Sequence, residues 1–93
     1  MSQLSHEQIV AGLGQCPGWH HRGNAIEQTF DCEDFDGSIR FVNAIAAAAN
    51  EMNHHPDIAI SWNSVTVRLS SHDAKGLTDR DFALAQTIDG LSA

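Results

Sequence analysis

The chain has 93 residues, 42% of them apolar, with twelve acidic and five Lys or Arg side chains for a formal net charge of −7. That length supports one hydrophobic core and not two, so a single domain over residues 1–93 is expected. Arg22, Arg40, Arg68, Lys75 and Arg80 are scattered, which excludes a nucleic-acid surface or a polyanion site, because phosphate neutralisation needs clustered cations.

The opening Met1-Ser2-Gln3-Leu4 carries no basic region followed by an apolar one, and no apolar run approaches the roughly 18 residues needed to span a bilayer. A cytoplasmic protein without a membrane anchor is expected. Cys16 and Cys32 form no CxxC and are read as free thiols.

Ser5 predicts a helix N-cap with Gln8 at the reciprocal capping-box position, and Leu4 and Ile9 at the staple positions. Ile9, Val10 and Leu13 supply a short apolar face. Gly12 and Gly14 are expected to end this helix before Pro17-Gly18 turns the chain. Trp19 to Arg22 and Ala25 to Cys32 read as a hairpin about Gly23-Asn24, with Ile26 and Phe30 on one face.

From about Asp34 to Asn53 the apolar period lengthens. Phe41, Val42, Ile45, Ala48, Ala49 and Met52 follow helical spacing, Asp34 is the cap, and Pro56 is expected to stop the helix. Ile58, Ile60 and Trp62 then alternate with polar neighbours, as do Val65, Val67 and Leu69. A two-residue turn at Asn63-Ser64 would oppose 62 with 65, 60 with 67 and 58 with 69, all on one face.

Ser71 to Leu77 reads as a loop. Thr78 caps a last helix with Asp81 three residues on, Leu77 and Phe82 form a staple, and Phe82, Ala85, Ile88 and Leu91 face inward. The expected class is α+β: a four-stranded antiparallel sheet with helices packed on one face, in the order α-β-β-α-β-β-α.

Chemistry concentrates in His54, His55, His72 and Asp81. Histidine exchanges protons near neutral pH, so a cluster points to acid–base work or to metal binding. His54 and His55 are adjacent and point opposite ways in an extended segment, which disfavours a shared metal ion and favours two parts of an organic ligand. The hairpin register, opposing 57 with 70, carries the His72 loop beside His54-His55-Pro56, so three imidazoles converge on one pocket. Asp81 is a helix N-terminal residue favoured by the macrodipole and, compatibly, an orienting partner for His72. Trp62 reads as core or pocket wall, His20-His21 as a solvated strand, and His6 as an exposed residue of the first helical turn.

These residues resemble a family signature. His54-His55-Pro56, five residues, Trp62, nine residues, His72, eight residues and Asp81 is similar to the pattern of the pterin-4a-carbinolamine dehydratases. Gly18-Trp19, Asn53 to Ile58 and Gly76-Leu77-Thr78 extend the resemblance over nearly the whole chain. It implies removal of water from 4a-hydroxytetrahydrobiopterin to give quinonoid dihydropterin, in pterin recycling for aromatic amino-acid hydroxylation, with no cofactor and no metal.

By that similarity His54, His55 and His72 are acid–base and pterin-binding residues, with Trp62 and Asp81 completing the binding set. Spacing leaves open which histidine protonates the 4a-hydroxyl and which takes the N5 proton. His54 and His72 are favoured as the principal pair, with His55 holding the ring or serving the other epimer. The resemblance also implies a homodimer or homotetramer. The alternatives are a protein-interaction module, like members that serve as dimerisation cofactors of a transcription factor, and a low-activity pterin binder. Two departures stand out: Asn50 lies where the family has an ionisable residue one turn before His54, from which it is expected to hydrogen-bond that ring, and Ser71 lies where threonine is common.

Overall fold

The computed structural model describes residues 3–92; Met1, Ser2 and Ala93 of the expected domain lie outside the described residues. The elements are α1 (His6–Gln15), β1 (His20–Arg22), β2 (Ala25–Asp31), α2 (Phe35–Met52), β3 (Asp57–Ser61), β4 (Ser64–Leu69) and α3 (Asp79–Leu91), in the expected order. The four strands form one antiparallel sheet, ordered β1-β2-β4-β3.

The first helix begins as its sequence dictates. Ser5 Oγ accepts from the Gln8 N–H, and the Ser5 N–H donates to Gln8 Oε1 at 2.8 Å. It does not stop at its glycines: both lie inside the helix, which runs on to Gln15. Gly12 is there for contact, since a Cβ at this position would sit 2.8 Å from the Phe82 ring of α3. Val10, expected on the apolar face, is instead exposed, while Leu4, Ile9 and Leu13 rest on the core.

In the β1–β2 hairpin Gly23 takes φ 62, a conformation open to glycine at no steric cost. The β3–β4 hairpin corrects the expected register. Ile60 opposes Val65, Ile58 opposes Val67 and Asp57 opposes Arg68, so the turn is Trp62-Asn63. The pairing slips by two residues, which keeps every side chain on its expected face. Trp62 therefore leaves the sheet, takes φ 50 in the turn and is 68% exposed, where core or pocket wall was expected. Its carbonyl is tied to α2 by the Ser38 hydroxyl at 2.7 Å.

One face of the sheet carries Ile26, Phe30, Val65, Val67 and Leu69 against Phe41, Ile45 and Ala49 of α2 and Phe82, Ala85 and Ile88 of α3. Leu84, not expected inside, is fully buried, and Leu91, expected inside, is 38% exposed at the end of α3. Gln28 also points inward, where it and the Trp19 indole N–H both donate to Asp89 Oδ1 at 3.0 Å. The opposite face is polar, with Glu27 between Arg22 and Arg68 at 3.7 and 3.6 Å. Among the described residues no helix is long and apolar enough to cross a membrane.

Candidate active site

The antiparallel pairing of β3 with β4 decides where the site lies. Asp57 opposes Arg68, so the chain entering β3 and the chain leaving β4 emerge at the same end of the sheet. The first carries His54 and His55, the second Ser71 and His72. The α3 N-terminus, with Thr78 and Asp81, arrives at the same place.

His54 is aimed by the way α2 ends. Asn53 adopts the left-handed conformation (φ 50, ψ 43); its N–H reaches Asn50 O and the His54 N–H reaches Ala49 O at 3.0 Å, a Schellman stop. The helix thus ends at an asparagine, three residues before the proline expected to stop it. Asparagine tolerates positive φ and supplies the reversal locally. That reversal turns the His54 ring inward, leaving it 7% exposed.

There it meets Asp81. His54 Nε2 lies 2.6 Å from Asp81 Oδ1, and Asp81 has no exposed surface. Asp81 Oδ2 accepts from the Ser71 hydroxyl and from the Thr78 N–H, both at 2.9 Å, and Ser71 Oγ lies 2.8 Å from Thr78 Oγ1. Every donor around this carboxylate belongs to the protein, as a buried charge requires. The expected partnership of Asp81 with His72 is therefore replaced by one with His54. Asp81 is fully buried among these protein partners.

His55 points the other way, as adjacency dictates. It is exposed, and its Nε2–H donates to Asn50 Oδ1 at 3.0 Å. Asn50 was expected to serve His54; the left-handed Asn53 swings the following residue past it, so His55 takes that place. His72 is also exposed, on a loop closed by backbone pairing of Ser71 with Gly76. Arg80 fastens that loop to α3 through Asp73, at 2.8 and 3.0 Å. Desolvation works to raise the Asp73 carboxyl, but the Arg80 charge and hydrogen bonds, with Asp73's own N–H, outweigh it and hold the group below the usual carboxylate range.

The site is thus one buried imidazole on a buried carboxylate, flanked by two open imidazoles, and not three rings inside a closed pocket. Cavities of about 340 Å³ and 270 Å³ lie elsewhere, beside Cys32 and Arg40 and beside Gly18 and His20. Trp62 lies in the turn at the far end of β3 from His55. Among the described residues no three His, Cys, Asp or Glu side chains are grouped to hold a metal ion.

Sequence reasoning missed Ser71 and Thr78 as the residues holding Asp81. The capping pattern at Thr78 already directed the Asp81 carboxylate to the Thr78 N–H, and extending it to Ser71 needed only the loop closure at Gly76. An imidazole whose Nε2–H donates to a carboxylate keeps its Nδ1 lone pair, so this arrangement is chemically suited to taking up a proton.

The family model described as "Pterin 4 alpha carbinolamine dehydratase" matches residues 2–91. The chain belongs to this family. A Thermosynechococcus vestitus protein named "Putative pterin-4-alpha-carbinolamine dehydratase" is 48% identical over 90 residues, covering 97% of this chain and 95% of that one. A Sulfurisphaera tokodaii protein of the same name is 44% identical, covering 98% of each. Among solved structures, a transcriptional coactivator/pterin dehydratase from Brucella melitensis superposes with a TM-score of 0.95 at 26% identity, covering 99% of this chain and 100% of that one. A pterin dehydratase-like protein identified as a RuBisCO assembly factor in the alpha-carboxysome shares the fold at a TM-score of 0.71 and 22% identity, covering 82% and 90%.

Proposed function

We propose that this protein removes water from 4a-hydroxytetrahydrobiopterin to give quinonoid dihydropterin, in pterin recycling, by histidine general acid–base catalysis. The observation that carries the reading is the 2.6 Å contact between His54 and a fully buried Asp81, with His55 and His72 on the adjoining chain. A carboxylate behind an imidazole stabilises the imidazolium that forms when the ring takes a proton. His54 Nδ1 accordingly accepts the N5 proton. His72, with no such partner among the described residues, donates to the departing 4a-hydroxyl, which leaves as water while the C4a–O bond breaks and the N5 electrons form the new double bond. His55, held by a neutral amide, binds the ring. No cofactor enters this scheme, and the family membership of the chain supports the substrate class.

The test is dehydration of chemically generated 4a-hydroxytetrahydrobiopterin by the purified protein. Turnover above the uncatalysed rate, lost in His54→Ala and His72→Ala, is expected. Equal rates for wild type, both variants and buffer would remove the reading.

A second reading, self-association into a homodimer or homotetramer, is favoured by α2. Phe35, Ile39 and Ala46 lie at helical spacing on a side that the core does not cover; Phe35 is 51% and Ile39 37% exposed. The same stripe suits the alternative of a protein-interaction module, and the coactivator part of the Brucella protein's name is in keeping with it. Light scattering on wild type and Ile39→Glu separates the cases: a wild-type monomer would end the self-association reading.

A further inference from the structure

Ser71 belongs to both arms of the site. Its hydroxyl lies between Asp81 Oδ2 (2.9 Å) and Thr78 Oγ1 (2.8 Å), and Ser71 and Thr78 are each 1% exposed. Its N–H donates to Gly76 O at 2.9 Å, and its carbonyl accepts from the N–H groups of Ala74 (3.1 Å) and Gly76 (3.3 Å), closing the loop that begins with His72. One residue thus ties the His72 loop to the carboxylate that holds His54.

The direction of these hydrogen bonds follows from what each group can do. An ionised carboxylate only accepts, so Ser71 donates to Asp81, and its lone pairs are left for the Thr78 hydroxyl proton. Oδ2 then has two donors, Ser71 O–H and Thr78 N–H, and Oδ1 has the His54 Nε2–H. We propose that Ser71 is a positioning residue for His54: by anchoring Oδ2 it keeps Oδ1 of Asp81 aimed at Nε2, which fixes the Nε2–H tautomer and keeps Nδ1 free to accept a proton. This inference rests on the proton-accepting role given to His54 above.

Removing the hydroxyl leaves Oδ2 with one donor in a site that water does not reach, and leaves the Thr78 hydroxyl without its acceptor. Asp81 then loses one of the two anchors on Oδ2, its carboxylate turns more freely, Oδ1 no longer stays aimed at Nε2, and the ring samples other orientations and the Nδ1–H tautomer. Threonine keeps a hydroxyl on the same carbon and preserves the contact. Cysteine keeps the shape with a much weaker donor.

The experiment compares wild type with Ser71→Ala, Ser71→Cys and Ser71→Thr by nitrogen–proton correlation NMR of the imidazoles, with His54 assigned by its absence in His54→Ala. The wild type should show one His54 tautomer, Nε2–H, with a slowly exchanging proton far downfield. Ser71→Ala should lose that proton to exchange or show mixed tautomers, and Ser71→Cys should fall between. Ser71→Thr should match wild type. In the dehydration assay kcat for Ser71→Ala should fall about tenfold, the loss of one hydrogen bond to a charged group, with KM within about twofold. Should Ser71→Ala not fold, Ser71→Cys carries the comparison. Wild-type ring signals in a folded Ser71→Ala or Ser71→Cys, or failure of threonine to restore them, would overturn the proposal. A wild type inactive on the pterin yet showing these ring signals would instead sink the dehydratase reading and leave the positioning role intact.

Discussion

His54 and Asp81, 27 positions apart in the chain, share a hydrogen bond of 2.6 Å inside the protein, and each depends on the other for burial. The ring reaches the carboxylate because α2 ends at a left-handed asparagine. The carboxylate is fixed because it opens α3. Any change at either member should therefore register in both stability and chemistry.

Asp81→Asn tests the carboxylate. An amide offers one acceptor and one donor group where three donors now point at two oxygens, so a donor is left facing a donor. We expect a loss of about 2–3 kcal/mol in urea denaturation. Turnover should drop by roughly 100-fold or more, because the ring loses its tautomer and its counter-charge. A variant as active as wild type would show that His54 does not act through Asp81.

The three histidines should part company when stability and activity are measured together. Replacement of His54 or His72 by alanine is expected to lower dehydration roughly 10²–10⁴-fold, whereas His55→Ala, which removes a contact to the ring, should act mainly through KM. His54→Ala alone strands a buried carboxylate and should cost about 3 kcal/mol. His55→Ala and His72→Ala, at exposed positions, should stay within about 0.5 kcal/mol of wild type. Equal destabilisation by all three would contradict the burial difference.

Two glycines of α1 should respond in opposite directions. At Gly14 nothing among the described residues lies within 4 Å of an added Cβ, so Gly14→Ala should stabilise by about 0.5–1 kcal/mol through helix propensity and reduced chain entropy. At Gly12 the same methyl meets the Phe82 ring at 2.8 Å, and Gly12→Ala should destabilise by about 1–2 kcal/mol despite the better propensity. Thermal melts of the two variants against wild type decide it; a gain for both would mean that Phe82 moves aside freely.

Alkaline pH should weaken the fold through Cys16. Burial pushes this thiol up, and the nearby Asp89 charge adds to the effect. The folded state keeps the proton at a pH where the unfolded thiol, near about 8.5, releases it. Unfolding then releases a proton, so stability falls as pH rises above that value, by up to about 1.4 kcal/mol per pH unit. Cys32, also pushed up by burial, adds in the same direction. Urea midpoints at pH 8 and pH 10 should show a smaller drop in Cys16→Ala than in wild type, and identical drops would exclude the thiol as a source.

Local chemistry wrote much of this protein into its sequence. The Ser5–Gln8 box, the Thr78–Asp81 cap, the long period of α2 and the alternation of the strands each depend on residues a few positions apart, and each element lies where those patterns put it. What depends on distance was decided only in three dimensions. Alternation repeats every two residues, so a slip of two in the β3–β4 hairpin leaves the apolar pattern intact while ejecting Trp62 into the turn. Adjacency shows that His54 and His55 diverge, but only the left-handed Asn53 determines which one turns inward to Asp81 and which one remains in solvent beside Asn50. A hydrogen bond between residues remote in the chain is selected by how helix ends and sheet ends are packed together, and no spacing in a single sequence encodes that choice.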